Sequence, residues 1–152
     1  MSDPLIFDSA SPRFGLPLLF PGQAQKEAFV NEAHALADAL LHCVIEGTAL
    51  TPPATPLDGQ AWLVGEAASG EWTGQGGKLA CRQGGNWLFI APRDGMWLLD
   101  RSSGHYIRYA GTWKFPVRPS SPSGGTTVDV EARSAIVNLI NALGAAGILP
   151  QV

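Results

Sequence analysis

The feature that most constrains this chain is a glycine set two residues ahead of a tryptophan, four times over. The copies are Gly70-Glu71-Trp72, Gly85-Asn86-Trp87, Gly95-Met96-Trp97 and Gly111-Thr112-Trp113. They recur at intervals of roughly ten to fifteen residues, which is how a meander of short antiparallel strands reads. With Trp62, all five tryptophans fall within residues 60–115. Strands are predicted at 60–64, 78–83, 86–91, 96–100, 105–109 and 112–115. Between them lie the turns Gly84-Gly85, Arg93-Asp94-Gly95, Ser102-Ser103-Gly104 and Ala110-Gly111. The loop 66–77 carries four glycines and is expected to be irregular.

Alternation predicts which strands are covered on both sides. Trp87 and Phe89 oppose Leu88 and Ile90, and Met96 and Leu98 oppose Trp97 and Leu99. Both faces are apolar, so 86–100 reads as a central hairpin with Trp87 and Phe89 in the main core. Tyr106 and Arg108 oppose His105, Ile107 and Tyr109, which leaves one wetter face. Thr112 and Lys114 alternate with Trp113 and Phe115 and predict an edge strand.

The flanks differ in kind. Residues 1–22 hold Pro4, Pro12, Pro17 and Pro21, each of which disfavours helix at the residue before it. The same stretch holds Leu5, Ile6, Phe7, Phe14, Leu16, Leu18, Leu19 and Phe20, and reads as an extended arm lying on an apolar surface of its own domain or of a neighbouring subunit. A helix is predicted next, with Asn31 as N-cap, Glu32 in its first turn and Gly47 as its stop. Ala33, Leu36, Ala37, Leu40, Leu41 and Val44 give it one apolar stripe, to pack on its own sheet or on a helix across a symmetry axis. Residues 116–125 read as a Pro/Ser/Gly linker. A last helix within 126–152 starts at the N-cap Asp129 and carries Ala132, Ala135, Ile136, Leu139, Ile140 and Leu143 on one face. Together these elements predict an α+β fold: arm 1–22, helix and meander 23–115, linker 116–125, terminal helix 126–152.

Composition narrows the function. Of 152 residues, 45% are hydrophobic and only 15% charged, which suits buried subunit contacts. A net charge of −3 argues against a nucleic-acid partner. No apolar run approaches the ~18 residues of a membrane-inserted helix. Met1-Ser2-Asp3-Pro4 lacks the basic start of a signal peptide, so synthesis and folding in the cytoplasm are expected. Cys43 and Cys81 are expected as buried free thiols.

No catalytic motif emerges. His34 and His42 are too far apart for a helical metal pair, and no Cys-x-x-Cys occurs. Asp94 and Asp100 already have turn and strand-end roles, which speaks against a glycosidase pair. Gly74-Gln75-Gly76-Gly77 lacks the Lys-Ser/Thr of a phosphate loop, and no Gly-x-Ser-x-Gly is present. The reading is non-enzymatic, with no metal and no cofactor. Aromatic rings remain, because tryptophan and tyrosine faces stack on sugars. The candidate platform is Trp113 with Tyr106 and Arg108, and Trp72 beside it.

Two stretches carry a resemblance. The first runs from Arg13-Phe14-Gly15-Leu16-Pro17 through Asn31-Glu32-Ala33 and Pro52-Pro53-Ala54-Thr55-Pro56-Leu57-Asp58-Gly59. It continues in Gly70-Glu71-Trp72-Thr73-Gly74, in residues 85–95 and in Gly111-Thr112-Trp113. Over roughly residues 12–115 it resembles an uncharacterised-domain family of tailed-phage and gene-transfer-agent structural proteins. The second, Gly124-Gly125-Thr126-Thr127-Val128-Asp129 with Glu131-Ala132-Arg133, looks like a C-terminal helix common on phage tail and fibre proteins. The resemblance implies a component of a virion appendage: a tail fibre, a head spike or an adaptor, located on the particle. It implies homo-oligomers, trimers foremost, docked on other particle proteins. Ala132, Ala135, Ile136, Leu139 and Leu143 of the last helix, with Leu18 and Phe20 of the arm, are the candidate oligomerisation residues. A carbohydrate-binding module for host cell-surface polysaccharide is the alternative.

Overall fold

A computed structural model describes residues 9–22, 24 and 26–150. The first part of the arm, with Leu5, Ile6 and Phe7, lies outside the described residues. The fold is α+β: the described residues form two α-helices and eight short strands in two four-stranded mixed sheets. The strands are β1 (Val44–Ile45), β2 (Thr48–Ala49), β3 (Ala61–Val64), β4 (Leu79–Gln83), β5 (Asn86–Ile90), β6 (Trp97–Asp100), β7 (His105–Ala110) and β8 (Thr112–Lys114). The helices are α1 (Lys26–Leu40) and α2 (Val130–Ala145). The described residues form two compact units. Of the described residues, the first takes those up to Cys43 and Thr48–Pro92, and the second takes Val44–Gly47 and those from Arg93 onward.

The first unit carries the sheet β2-β3-β4-β5. β3, β4 and β5 pair antiparallel, and β2 lies parallel to β3. Gly84 and Gly85 both take positive φ, 53° and 76°, the two-residue turn that matches strand twist. One face gathers Val64, Trp72 and Ala80 as a buried cluster, with Trp62, Trp87 and Phe89 packed against it. Trp87 and Phe89 therefore flank the core, and Trp72 fills it. The other face buries Ala61, Leu63, Leu79, Cys81 and Ile90.

α1 corrects the expected helix at both ends. It starts at Lys26, so Asn31 lies inside it rather than capping it. The Asn31 side chain instead brackets Leu19, accepting from its N–H at 2.8 Å and donating to its carbonyl at 3.0 Å. The helix stops at Leu40, ahead of His42 in a left-handed conformation (φ 45°), because Val44 and Ile45 are taken into a sheet. Arg13 covers this end: its guanidinium donates to the carbonyls of Asp38 and Ala39 at 2.8 Å and of His42 at 2.9 Å. Those are the orphan acceptors of a helix C-terminus, where positive charge is also favoured.

The second unit carries the sheet β1-β6-β7-β8, with β1 parallel to β6 and the other pairs antiparallel. Residues 86–100 do not form the expected hairpin. Pro92 follows β5, and the N–H of Gly95 goes to the carbonyl of Tyr109, which commits β6 to β7. β5 thus edges one sheet while β6 is interior to the other. β8 is an edge strand, as its alternation predicts. Ile45, Leu98 and Ile107 are fully buried.

α2 begins as expected, with the Asp129 carboxylate accepting from the Ala132 N–H at 2.8 Å. It closes on Gly147 (φ 71°), whose carbonyl accepts the Tyr106 N–H at 2.8 Å. Arg118 donates to Asn141 Oδ1 at 2.7 Å and to the Pro150 carbonyl at 3.2 Å. The stretch 116–125 is irregular but tethered: the helix is held to its own unit, with Ile140 and Gly144 buried.

Candidate functional site

Cross-strand register sorts the second sheet into two faces. Trp97 sits opposite Arg108, and Arg108 opposite Lys114. Leu99 pairs with Tyr106 and with Val44. Strand alternation therefore puts Val44, Trp97, Leu99, Tyr106, Arg108, Ala110, Thr112 and Lys114 on one face. The other holds Ile45, Leu98, Asp100, His105, Ile107, Tyr109 and Trp113. The first is the outer face: Trp97 is 60% exposed and Tyr106 43%, and Arg108 and Lys114 are exposed. The Trp97 and Tyr106 rings meet edge to face, 6.5 Å between centroids. Lys114 Nζ donates to Thr112 Oγ1 at 2.8 Å, which steadies the ammonium at the sheet edge.

Of the four expected platform residues, the structure brings Tyr106 and Arg108 together and separates the others. Trp113 is on the opposite face, half-buried, its ring 5.2 Å from Tyr109. Trp72 belongs to the first unit and has no exposed surface, so it cannot stack on a ligand. The reason is its place in the one-turn 3-10 helix Gly70–Trp72, which turns the ring edge-on to Trp87 at 5.1 Å. Reading the sequence missed Trp97 as a platform member. The wetter face of β7 was a usable signal, but joining Trp97 to it required the β6–β7 register.

The oligomerisation candidates fall on two surfaces. On α2, Ala132, Ala135, Ile136 and Leu139 are exposed, and Leu143 is half-buried. On the arm, Leu18 is half-buried and Phe20 half-exposed. The described arm lies on its own unit, through polar contacts to α1. Glu27 Oε1 accepts from the Gly22 N–H at 3.1 Å, and His34 Nδ1 meets the Pro17 carbonyl at 2.8 Å. Asp38 accepts from Ser11 Oγ at 2.7 Å and from the N–H groups of Phe14 at 2.7 Å and Arg13 at 3.0 Å.

Glu27, Asn31, His34 and Asp38 recur at steps of four, three and four, so they form one helical stripe, and it faces the arm. Phe29, Ala33, Leu36 and Leu40 recur at the same steps on the opposite side. Phe29 is 78% exposed, Ala33 and Leu40 are exposed, and Leu36 is half-buried. α1 is amphipathic the wrong way round for a lone chain: polar side inward, apolar side outward.

The residue types of a hydrolase do not connect. Asp94 Oδ1 accepts from the Gly111 N–H at 2.7 Å, and Asp100 Oδ1 from the Ser102 N–H and hydroxyl at 2.9 and 2.7 Å. His105 Nδ1 meets the Ser103 carbonyl at 3.3 Å, while Ser103 Oγ and His105 Nε2 are buried without a partner. Among these described residues no nucleophile–base contact results. No group of three His, Cys, Asp or Glu suited to a metal occurs among the described residues. Cys43 and Cys81 are free and buried. Burial pushes their thiols up to about 11 and about 12, so neither is a nucleophile at neutral pH.

No helix of the described residues is long and apolar enough to cross a membrane. A comparison with curated proteins finds no match. The family model described as "Protein of unknown function (DUF2793)" matches residues 30–114, more than half of the chain. That span runs from inside α1 to the last residue of β8 and takes in both sheets. The chain therefore belongs to the DUF2793 family.

Proposed function

We propose that this chain is a non-enzymatic structural component of a phage or gene-transfer-agent particle appendage, a tail fibre, head spike or adaptor, and that it works as a homo-oligomer docked on other particle proteins. The observation that carries the assembly is the reversed α1. A helix that spends its polar stripe on its own arm and turns Phe29, Ala33, Leu36 and Leu40 outward needs a partner surface. Ala132, Ala135, Ile136 and Leu139 of α2 offer a second such surface. The particle itself, and a threefold arrangement, rest on the resemblance over residues 12–115.

The test is solution mass by light scattering, for the full chain and for Phe29→Glu and Leu139→Glu. The expected result is an assembled species that either charge weakens, since each buried side chain is worth ~1.5–3 kcal/mol. A monomer at about tens of micromolar, unchanged by either variant, would sink the self-assembly reading. Absence of the chain from purified particles would sink the particle reading.

A second reading, attachment to host cell-surface polysaccharide, is favoured by one observation. Trp97 and Tyr106 are exposed together on a face with polar neighbours, as a sugar platform requires.

A further inference from the structure

We infer that the outer face of the β1-β6-β7-β8 sheet is a binding site for an acidic polysaccharide, one bearing carboxylates such as a uronate chain. The inference rests on the attachment reading and supplies its ligand class. Three observations carry it. Trp97 and Tyr106 present apolar ring surface to solvent, on which the C–H faces of a sugar ring can lie. Arg108 stands directly across from Trp97 and directly across from Lys114, so the row runs aromatic, guanidinium, ammonium over three adjacent strands.

The third observation is charge. The strand residues of this face hold two cations and no acid, in a chain whose net charge is −3. Strands lie roughly 4.8 Å apart, so Trp97 and Lys114 are about 10 Å from each other, the reach of two sugar units. A ring stacked on Trp97 would bring its carboxylate, or that of the next unit, onto the Arg108 fork, with Lys114 as the second counter-charge. Single-stranded nucleic acid also uses rings and cations, and oligo-dT is therefore the competing ligand in the test.

The test is titration of the full chain with oligogalacturonate, the same oligomer with its carboxyls reduced, and oligo-dT, read by tryptophan fluorescence. Arg108→Gln, Lys114→Gln and Trp97→Ala are compared with Lys26→Gln, the same charge change on α1. Binding of oligogalacturonate but not of its reduced form, weakened about tenfold or more by each face variant and not by Lys26→Gln, is the expected outcome. Circular dichroism checks that the variants fold. Equal binding of the reduced oligomer would overturn the acidic class and leave attachment standing. Binding of neither oligomer would remove both. Tighter binding of oligo-dT, or equal weakening by Lys26→Gln, would overturn the site.

Discussion

Ser11 Oγ donates to Asp38 Oδ1 at 2.7 Å, and both residues are buried. Two further donors meet this carboxylate: the N–H groups of Arg13 and Phe14. One helix residue thus fixes the arm from Ser11 to Phe14. Asp38→Ala would strand buried donors, and we expect it to cost about 3–5 kcal/mol. Urea unfolding measures this. A loss under about 1 kcal/mol would mean that the arm is held elsewhere.

The same carboxylate sets an acid limit. Burial alone would raise the Asp38 carboxyl, but the hydrogen bonds from Ser11, Phe14 and Arg13 outweigh it, and the net result is below its ordinary 3.8. A folded value below the unfolded one means that Asp38 stabilises fully above the unfolded value. That contribution fades as pH falls through the folded value. Stability should drop below about pH 4, and Asp38→Asn should flatten that limb. Parallel acid limbs for the two proteins would refute the assignment.

Trp72 has no exposed surface, whereas Trp87 is half-buried. Trp87 keeps water-accessible partners: Nε1 donates to Glu71 Oε2 at 2.9 Å, and the Arg82 guanidinium lies 5.0 Å from its ring. Trp72→Ala should cost about 3–5 kcal/mol, and Trp87→Ala clearly less. Thermal melts of the two variants in the opposite order would show that the cluster is centred elsewhere.

Cys43 and Cys81 should not react with a thiol reagent at pH 8 while the chain is folded. Burial is the main cause of both raised values, and the neighbouring Cys43 adds to that of Cys81. Arg13 pulls each down in part without offsetting burial. Both thiols should titrate rapidly in denaturant. Fast native labelling would mean that the first unit opens locally.

Turn chemistry was legible in the residues. Gly85, Gly95 and Gly111 take φ of 76°, 91° and 69°, so each glycine before a tryptophan answers a backbone need that other residues meet poorly. The Asp129 cap was legible for a similar reason, since it acts within its own turn. Two things were not. β1 and β2 are two residues each and pair parallel with distant strands, so no periodicity could announce them. In α1 the apolar stripe was visible, but period alone cannot say which side of a helix faces in. The four polar residues at the same spacing decided that, through partners five to twenty-seven positions away. At the platform, alternation exposed Tyr106 and Arg108, while Trp97 depended on long-range register.

The strand Val44–Ile45 has a consequence for how the chain is made. It belongs to the second unit, yet it emerges before Thr48–Pro92 of the first. Its partner Leu99 follows more than fifty residues later, an interval of about 3–10 seconds at about 5–20 residues per second. During that interval the first sheet can close while Val44 and Ile45 wait with an unpaired edge. A ribosome-bound intermediate of this protein would therefore be a finished first unit with an open strand beside it, a species that a nascent-chain chaperone could recognise. For the same reason, no single cut near Pro92 would release two complete halves.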